Sequence, residues 1–342
     1  MNGFIIKLKY YGLFGLIKRF QEEINAACQT SVKIKKEDGV SRSRVSLVID
    51  ILYCTIRYGS DIYNYRSMKL YRLNHYGRNE FVTNLRNIKL IQLLDKGAIS
   101  LFKNKASFNK EFHEFIHHKW IILPEKPQPN DIAQVKQFIE FYGEVIVKPV
   151  DSALGNGVHK LRNDAMKVDS LVEMAGQGQS FLIEQVVENH HEIKTLHPAS
   201  VNTIRMVTCI DNNGVFHIVA SLIRMGRGGA VIDNAKGDGI MCPIYPDNGI
   251  IYGDAYDLSG HRYKKHPDTG IVFVGLQIPR WNELLDYCEK LARHVPNARY
   301  VGWDIVVTEN GFDVLEGNIP AGENITQMAR GEGLWKEMLS YL

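Results

Sequence analysis

The segment GWDIVVTENGFDVLEGN, residues 302–318, constrains the fold more than any other. Two apolar runs flank an Asn-Gly pair, the pattern of two antiparallel strands joined by a tight turn. Side chains alternate along a strand, so Glu316 and Asn318 share one face. Whether Asp304 joins them depends on the turn. A two-residue turn at Asn310-Gly311 pairs Asp304 with Gly317 and sends it to the other face. A three-residue loop, Glu309-Asn310-Gly311, pairs it with Glu316 and puts glycine at the left-handed last position. In that arrangement two carboxylates and an amide converge, a ligand set for a hard cation such as Mg2+ that also holds substrate phosphates. The competing reading is a solvated hairpin.

The rest of the chain divides by texture. Residues 1–100 read as helical, with apolar spacing of helix type over Arg44–Gly59 and Asn84–Lys96. Tyr53, Tyr58, Tyr63, Tyr65, Tyr71 and Tyr76 there read as packing residues. From residue 101 onward the spacing predicts helices over Lys105–Ile116 and Ile132–Tyr142, separated by the proline-rich 124–130. Strands follow at 143–150, 158–161, 181–187, 203–210, 215–225, 300–307 and 312–318, with a helix over 279–294. Hairpins rather than repeated βαβ units imply an α+β or mixed α/β fold with much antiparallel pairing.

Charge and cysteine usage narrow the function. Forty-one Lys and Arg residues against 38 Asp and Glu give a net charge of +3, which gives no support for a nucleic-acid binder. Five dispersed cysteines without a CxxC pair exclude a disulfide framework or zinc knuckle and fit a reducing, cytoplasmic setting. The apolar start is interrupted by Lys7, Lys9, Lys18 and Arg19, so it is too charged to span a bilayer. A packed helix is the favoured reading; peripheral membrane contact through this basic segment is the other.

Three further patches carry chemistry. In VIVKPVDSALGNGVHKL an apolar strand delivers Lys148, followed by a loop with Gly155 and Gly157. Lysine supplies a point charge and glycines turn backbone amides toward a phosphate. In FLIEQVVENHHEI a strand leaving its sheet offers the backbone of Glu184, Gln185 and Val187 to a purine rim, with Glu192 or a histidine on the ribose. His190 and His191, taken as strand neighbours, face opposite ways and do not chelate together. A two-residue turn at Asn213-Gly214 sets Arg205 opposite Leu222 and diagonal to Arg224, placing both guanidinium groups on one face for a carboxylate or phosphate. The glycine-rich 226–240, with Asn234 and Lys236, reads as a loop able to close over substrate.

Taken in order, these segments resemble the ATP-grasp superfamily over residues 102–342. Asn104-Lys105 matches its first ATP lysine, Val147-Lys148-Pro149 the second, and Leu182–Gln185 the adenine hinge. Asp304, Glu316 and Asn318 match its metal set. His197–Thr208 and Val231–Ile240 look like the sugar-transfer associated, TupA-like branch. The resemblance implies two α+β subdomains gripping ATP, over 101–342 with a nucleotide-gripping part near 131–190, beside a helical region over 1–100. It implies ATP and a pair of Mg2+ ions as cofactors. The reaction implied is ligation of a small-molecule or glycan-linked carboxylate to an amine through an acyl phosphate, in surface-polysaccharide or capsule synthesis. Arg205, Arg224 and Lys236 would serve the reacting groups. Gly302 stands where many ATP-grasp ligases carry arginine, leaving that duty to Arg205 or Arg224. A kinase, with His266 or Asp268 as base, and a non-catalytic ATP-binding subunit of a glycan assembly complex are the alternatives.

Overall fold

The computed structural model describes residues 21–95, 97–152, 156–229 and 239–342. Gly155, Lys236 and the basic segment before Gln21 lie outside the described residues. Contacts group the chain into two compact units, one of residues up to Lys89 with Gly331–Glu337, the other of Leu90–Arg330 with Met338–Leu342.

The first unit is helical, as its apolar spacing predicts. Arg44–Tyr58 is capped by the Ser43 side chain on the Ser46 amide and ends at Gly59 in the left-handed conformation. Its inner face, Leu47, Ile51, Cys54 and Tyr58, packs with Tyr65, Leu70 and Tyr71. Half of the tyrosines named from sequence are core; Tyr53, Tyr63 and Tyr76 are exposed. Asp50 is held by Arg78, Arg42 and the Tyr65 hydroxyl at 2.6–3.0 Å. Burial would raise its pKa, but Arg78 and these hydrogen bonds hold it below the ordinary value.

The second unit is α+β with two antiparallel sheets. The small sheet comprises β1 (Trp120–Leu123), β2 (Glu144–Pro149), β3 (His159–Arg162) and β4 (Phe181–Gln185), in the order β1-β4-β2-β3. The large sheet comprises β5 (Thr203–Ile210), β6 (Phe216–Met225), β7 (Ile240–Ile244), β8 (Ala255–Tyr256), β9 (Arg262–Tyr263), β10 (Tyr300–Val307) and β11 (Phe312–Asn318). Their order is β11-β10-β5-β6-β7-β8-β9. Helix Trp281–His294 packs Trp281, Leu284, Cys288 and Leu291 into the large sheet's core. The expected helix over Lys105–Ile116 stops at Glu111. The short strands β1, β7, β8 and β9 give too little alternation to be read from sequence.

Both hairpins that matter reach their expected pairings by an unexpected route. In β10–β11 the Thr308 amide donates to the Gly311 carbonyl, a two-residue loop of Glu309 and Asn310, and Gly311 takes φ 158°. That loop alone would set Asp304 opposite Leu315. A bulge between Asp304/Ile305 and Glu316/Val314 leaves Leu315 unpaired and restores Asp304 to Glu316. In β5–β6 the Asp211 and Val215 backbones pair around a three-residue loop ending in Gly214 at φ 79°, instead of the expected two-residue turn. A bulge after Val207 then returns Arg205 opposite Leu222. In each case loop length and bulge offset one another, so the face assignments stand although neither turn is as drawn from sequence.

Candidate functional site

Asp304, Glu316 and Asn318 meet on one face. Asn318 Nδ2 donates to Asp304 Oδ2 and Glu316 Oε1, each at 3.3 Å, and to the Gly302 carbonyl at 3.2 Å. The two acids interact directly. Burial and the Asp304 charge push Glu316 up, while Asp304 is held well below the ordinary range against its own burial by Arg205 and Arg224. A close acid pair, Asp304 buried and Glu316 half-buried with its pKa raised, plus the Asn318 amide oxygen, is a donor set that a hard cation relieves, so the residues fit Mg2+.

The arginines come from the neighbouring strands. Arg205 lies directly across the ladder from Asp304, with Nε 2.6 Å from Oδ1 and Nη2 2.9 Å from Oδ2. Arg224 Nη1 adds a bond to Oδ2 at 2.8 Å. Both are buried and both bind Asp304, so they stand beside the three converging oxygen ligands. Gly302 has a steric reason. A Cβ there would meet the Ala321 carbonyl oxygen at 2.4 Å, so no arginine fits at that position. Arg205 Nη1 reaches the same carbonyl at 3.3 Å and thus enters from β5 instead.

Lys105 opens the helix Lys105–Glu111, whose N-cap Asn104 accepts from the Ser107 amide and donates to Asp151. Phe102, Phe108, Phe112 and Trp303 form an aromatic cluster under this turn, with ring centroids 4.5–5.8 Å apart. A Cβ on Gly317 would strike the Phe102 ring at 2.5 Å, so β11 lies directly on the cluster and Lys105 is carried close to it. Lys105 Nζ donates to Pro149 O and Ser152 Oγ, each at 3.2 Å, and to Ser152 O. Burial lowers its pKa, partly offset by Glu316. Its ammonium thus sits on the loop that leaves β2, where Gly157 takes φ 75° and a Cβ would meet Pro149 at 2.8 Å.

Lys148, near the end of β2, points to Glu184, with Nζ 2.5 Å from Oε2. Burial opposes its charge, but Glu184 keeps its pKa above the ordinary value. Glu184 is buried, and its backbone and that of Gln185 lie inside the ladder. Trp120 and Ile146 flank Glu184, and the Gln185 amide donates to Lys119 at 2.8 Å. The expected hinge therefore needs correcting. β1 covers the edge that sequence left open, so the chain leaves the ladder only at Val186 and Val187. Glu192 is exposed in the short helix His191–Lys194.

His190 and His191 do not face opposite ways, because the strand has ended and His190 caps that helix. Their rings stack with centroids 4.4 Å apart, and ligand atoms of both lie within 4.8 Å of Glu309 and each other. His191 Nδ1 is 2.9 Å from Glu309 Oε1. His266 is fully buried. Its Nε2 pairs with the Gly226 carbonyl at 2.9 Å and its Nδ1 accepts the Asp268 amide at 3.2 Å, so neither nitrogen is open to a substrate. Asp268 accepts the Gly228 amide at 2.7 Å.

Sequence reading missed one group, the FIHHKW segment before β1. His118 Nδ1 bonds Asp313 Oδ1 at 2.9 Å, and its Nε2 faces Glu184 Oε1 at 3.3 Å. Burial alone would depress His118, but the hydrogen bond to Asp313 and the nearby charges of Glu184 and Asp313 raise it to about 9. The signal was present: an aspartate between Phe312 and Val314 in an apolar strand requires a partner.

The profile of the sugar-transfer associated ATP-grasp family matches residues 85–340. No curated protein matches the chain. D-alanyl-alanine synthetase A from Vibrio cholerae O1 biovar eltor is similar in structure at 15% identity and TM-score 0.46, over 70% of this chain and 64% of that one. ATP-grasp ligase PsnB complexed with minimal precursor gives 14%, 0.44, 72% and 63%. D-alanine–D-alanine ligase from Bacillus anthracis complexed with ATP gives 13%, 0.42, 73% and 66%. The chain spans less than two thirds of the length of the first two. No helix among the described residues is long and apolar enough to cross a membrane.

Proposed function

The chain belongs to the sugar-transfer associated ATP-grasp family, and on that premise we propose that it is an ATP-dependent ligase joining a carboxylate to an amine. The observation that carries this reading is the convergence of Lys105 and Lys148 with Asp304, Glu316 and Asn318: Lys148 from the small sheet, Lys105 from the helix seated against β11, and oxygen ligands from β10 and β11. In the proposed reaction a substrate carboxylate oxygen attacks the γ-phosphorus of ATP, the bond to ADP breaks, and an acyl phosphate forms. An amine then attacks the acyl carbon and inorganic phosphate leaves, giving an amide. No side chain has to act as nucleophile; alignment and charge neutralisation do the work.

Lys148 and Lys105 would hold phosphate oxygens, with Gly157 keeping the loop after β2 close to Pro149. Glu316, Asn318 and Asp304 would hold Mg2+, which supplies charge neutralisation at the phosphates. Arg205 and Arg224 fix the Asp304 carboxylate and present guanidinium charge beside the transferred group. Val187 and Glu192 would meet the nucleoside. The acid is a uronic acid or similar glycan carboxylate, and the setting is synthesis of a surface polysaccharide in the cytoplasm. The kinase alternative draws no support from His266, whose ring nitrogens are both engaged. The test is incubation with ATP, candidate uronic acids and amino compounds, followed by mass spectrometry. ADP and phosphate should appear only when both partners are present, together with an amide product. A phosphorylated acceptor would make it a kinase, and no turnover with any pair would leave a binding subunit.

A further inference from the structure

Four ionic side chains, Asp313, His118, Glu184 and Lys148, line up between the two sheets, the first three buried and each within 3.3 Å of the next. Asp313, on β11, accepts the backbone N–H of His117 at 3.1 Å on Oδ1 and that of His118 at 2.9 Å on Oδ2. Its Oδ1 also takes His118 Nδ1 at 2.9 Å. The other ring nitrogen faces Glu184 Oε1 at 3.3 Å. Asn109 donates to that same oxygen at 3.1 Å. Glu184 Oε2, the remaining oxygen, holds Lys148 Nζ at 2.5 Å. Each oxygen of Glu184 therefore has its own task, and the carboxylate cannot turn without breaking a bond on one side.

We propose that His118 is a positioning residue that aims Lys148 at the nucleotide phosphates through Glu184, referencing it to β11, the strand that carries Glu316 and Asn318. The proposal rests on the ligase reading above and deepens it.

The charges explain why a histidine suits this place. Glu184 and Asp313 are two buried anions, and Lys148 alone offsets one of them. A protonated imidazole between the two acids brings the line to neutrality, hydrogen-bonding Asp313 through Nδ1 and setting its charge against Glu184 through Nε2. A glutamine donates from one end only, so it can satisfy Glu184 or Asp313 but not both, and it carries no charge. Without the cation, Lys148 is the one charge left to Glu184 beside the neutral Asn109 amide, and the carboxylate draws the ammonium back from a phosphate. The fold also explains why the tie runs to β11. The lysine comes from the small sheet and the metal set from the large one, and a phosphate chain has to touch both. A fixed link from Lys148 to the metal-bearing strand sets that spacing before nucleotide arrives.

The experiment is a double-mutant cycle read as ATP dissociation constants, using the whole chain, with wild type, His118→Gln, Lys148→Met and the double variant. Unfolding temperatures are recorded alongside. His118→Gln should weaken ATP binding about tenfold in the wild-type background and hardly at all once Lys148 is gone. Its effect on unfolding temperature should be larger once Lys148 is gone, because Glu184 then has His118 as its one remaining cation, so the loss of effect on affinity cannot be a stability effect. A packing role alone would instead lower affinity by one factor in both backgrounds, and that result overturns the proposal. So does an unchanged dissociation constant in folded His118→Gln while Lys148→Met weakens binding, with the ligase reading left intact. A wild-type chain that binds no ATP overturns both. Should His118→Gln fail to fold, Asp313→Asn serves in the same cycle. It keeps size and loses the charge behind His118, and the same loss of effect beside Lys148→Met is expected.

Discussion

Replacing Arg205 by lysine keeps the charge and removes the fork. Arg205 holds Asp304 through two nitrogens, at 2.6 and 2.9 Å, and reaches the Ala321 carbonyl with the third. Lysine can keep one contact with Asp304. The losses are one buried charge-assisted bond to Asp304, about 1.5–3 kcal/mol, and the longer contact with the Ala321 carbonyl. Together they stay below the ~3–5 kcal/mol of a fully broken buried pair, because Arg224 still binds Oδ2 at 2.8 Å. Urea unfolding should therefore show a stability loss of about 2 kcal/mol. Turnover should fall much further, about a hundredfold, because the planar donor is asked to match charge that develops only during phosphoryl transfer. ATP affinity should change by about threefold or less, the pattern of an interaction made in the transition state alone. Steady-state rates of ADP release and equilibrium ATP binding separate the three quantities. A variant that loses stability but keeps wild-type turnover would refute the reasoning, leaving Arg205 a structural clamp. Equal falls in affinity and turnover would do so as well.

Other expectations follow from the same geometry. Glu316→Gln removes the raised member of the acid pair; the fold should survive while Mg2+-dependent turnover drops by orders of magnitude, and wild-type kinetics in the purified variant would rule out the metal assignment. Gly302→Ala places a Cβ 2.4 Å from the Ala321 carbonyl oxygen and should cost about 1–3 kcal/mol by overpacking; an unchanged urea midpoint would mean the 321 backbone yields freely. Asp95 is fully buried, with Oδ1 taking the Tyr300 amide, and burial followed by the Glu323 charge raises it to about 8. Between its ordinary value and about 8 the folded chain keeps a proton that the unfolded chain releases, so stability falls as pH rises through that window. Asp95→Asn should flatten that slope and be the more stable form at pH above 8, checked by unfolding midpoints across pH; a parallel pair of curves would show that Asp95 ionises normally.

The parts legible in the sequence were those fixed by local pattern. Alternation gave β5, β10 and β11 to the residue, and the order of lysines and acids named side chains that the fold brings near one another. What stayed hidden depended on neighbours distant along the chain. The engagement of Glu184 by His118 and Lys148 joins residues far apart in sequence, so no spacing rule reveals it. The burial of the expected hinge at Glu184 and Gln185 depends on β1, four residues too short to announce themselves. Gly302 looked like a missing arginine because its reason, the Ala321 carbonyl, crosses from another segment. The turns were misjudged because a bulge is invisible to alternation counted from either end.

Those bulges make the distance between tip and site adjustable. Leu315 takes up one residue of slack between the Glu309-Asn310 loop and the acids. A hairpin without Leu315 would still present Asp304 beside Glu316, with Asp313 on that same face. A three-residue loop with no bulge would pair the two acids as well, but would turn Asp313 to the other face, away from His118. The bulge therefore does more than absorb length: it lets Asp313 and Glu316, an odd number of residues apart, serve one side of the sheet.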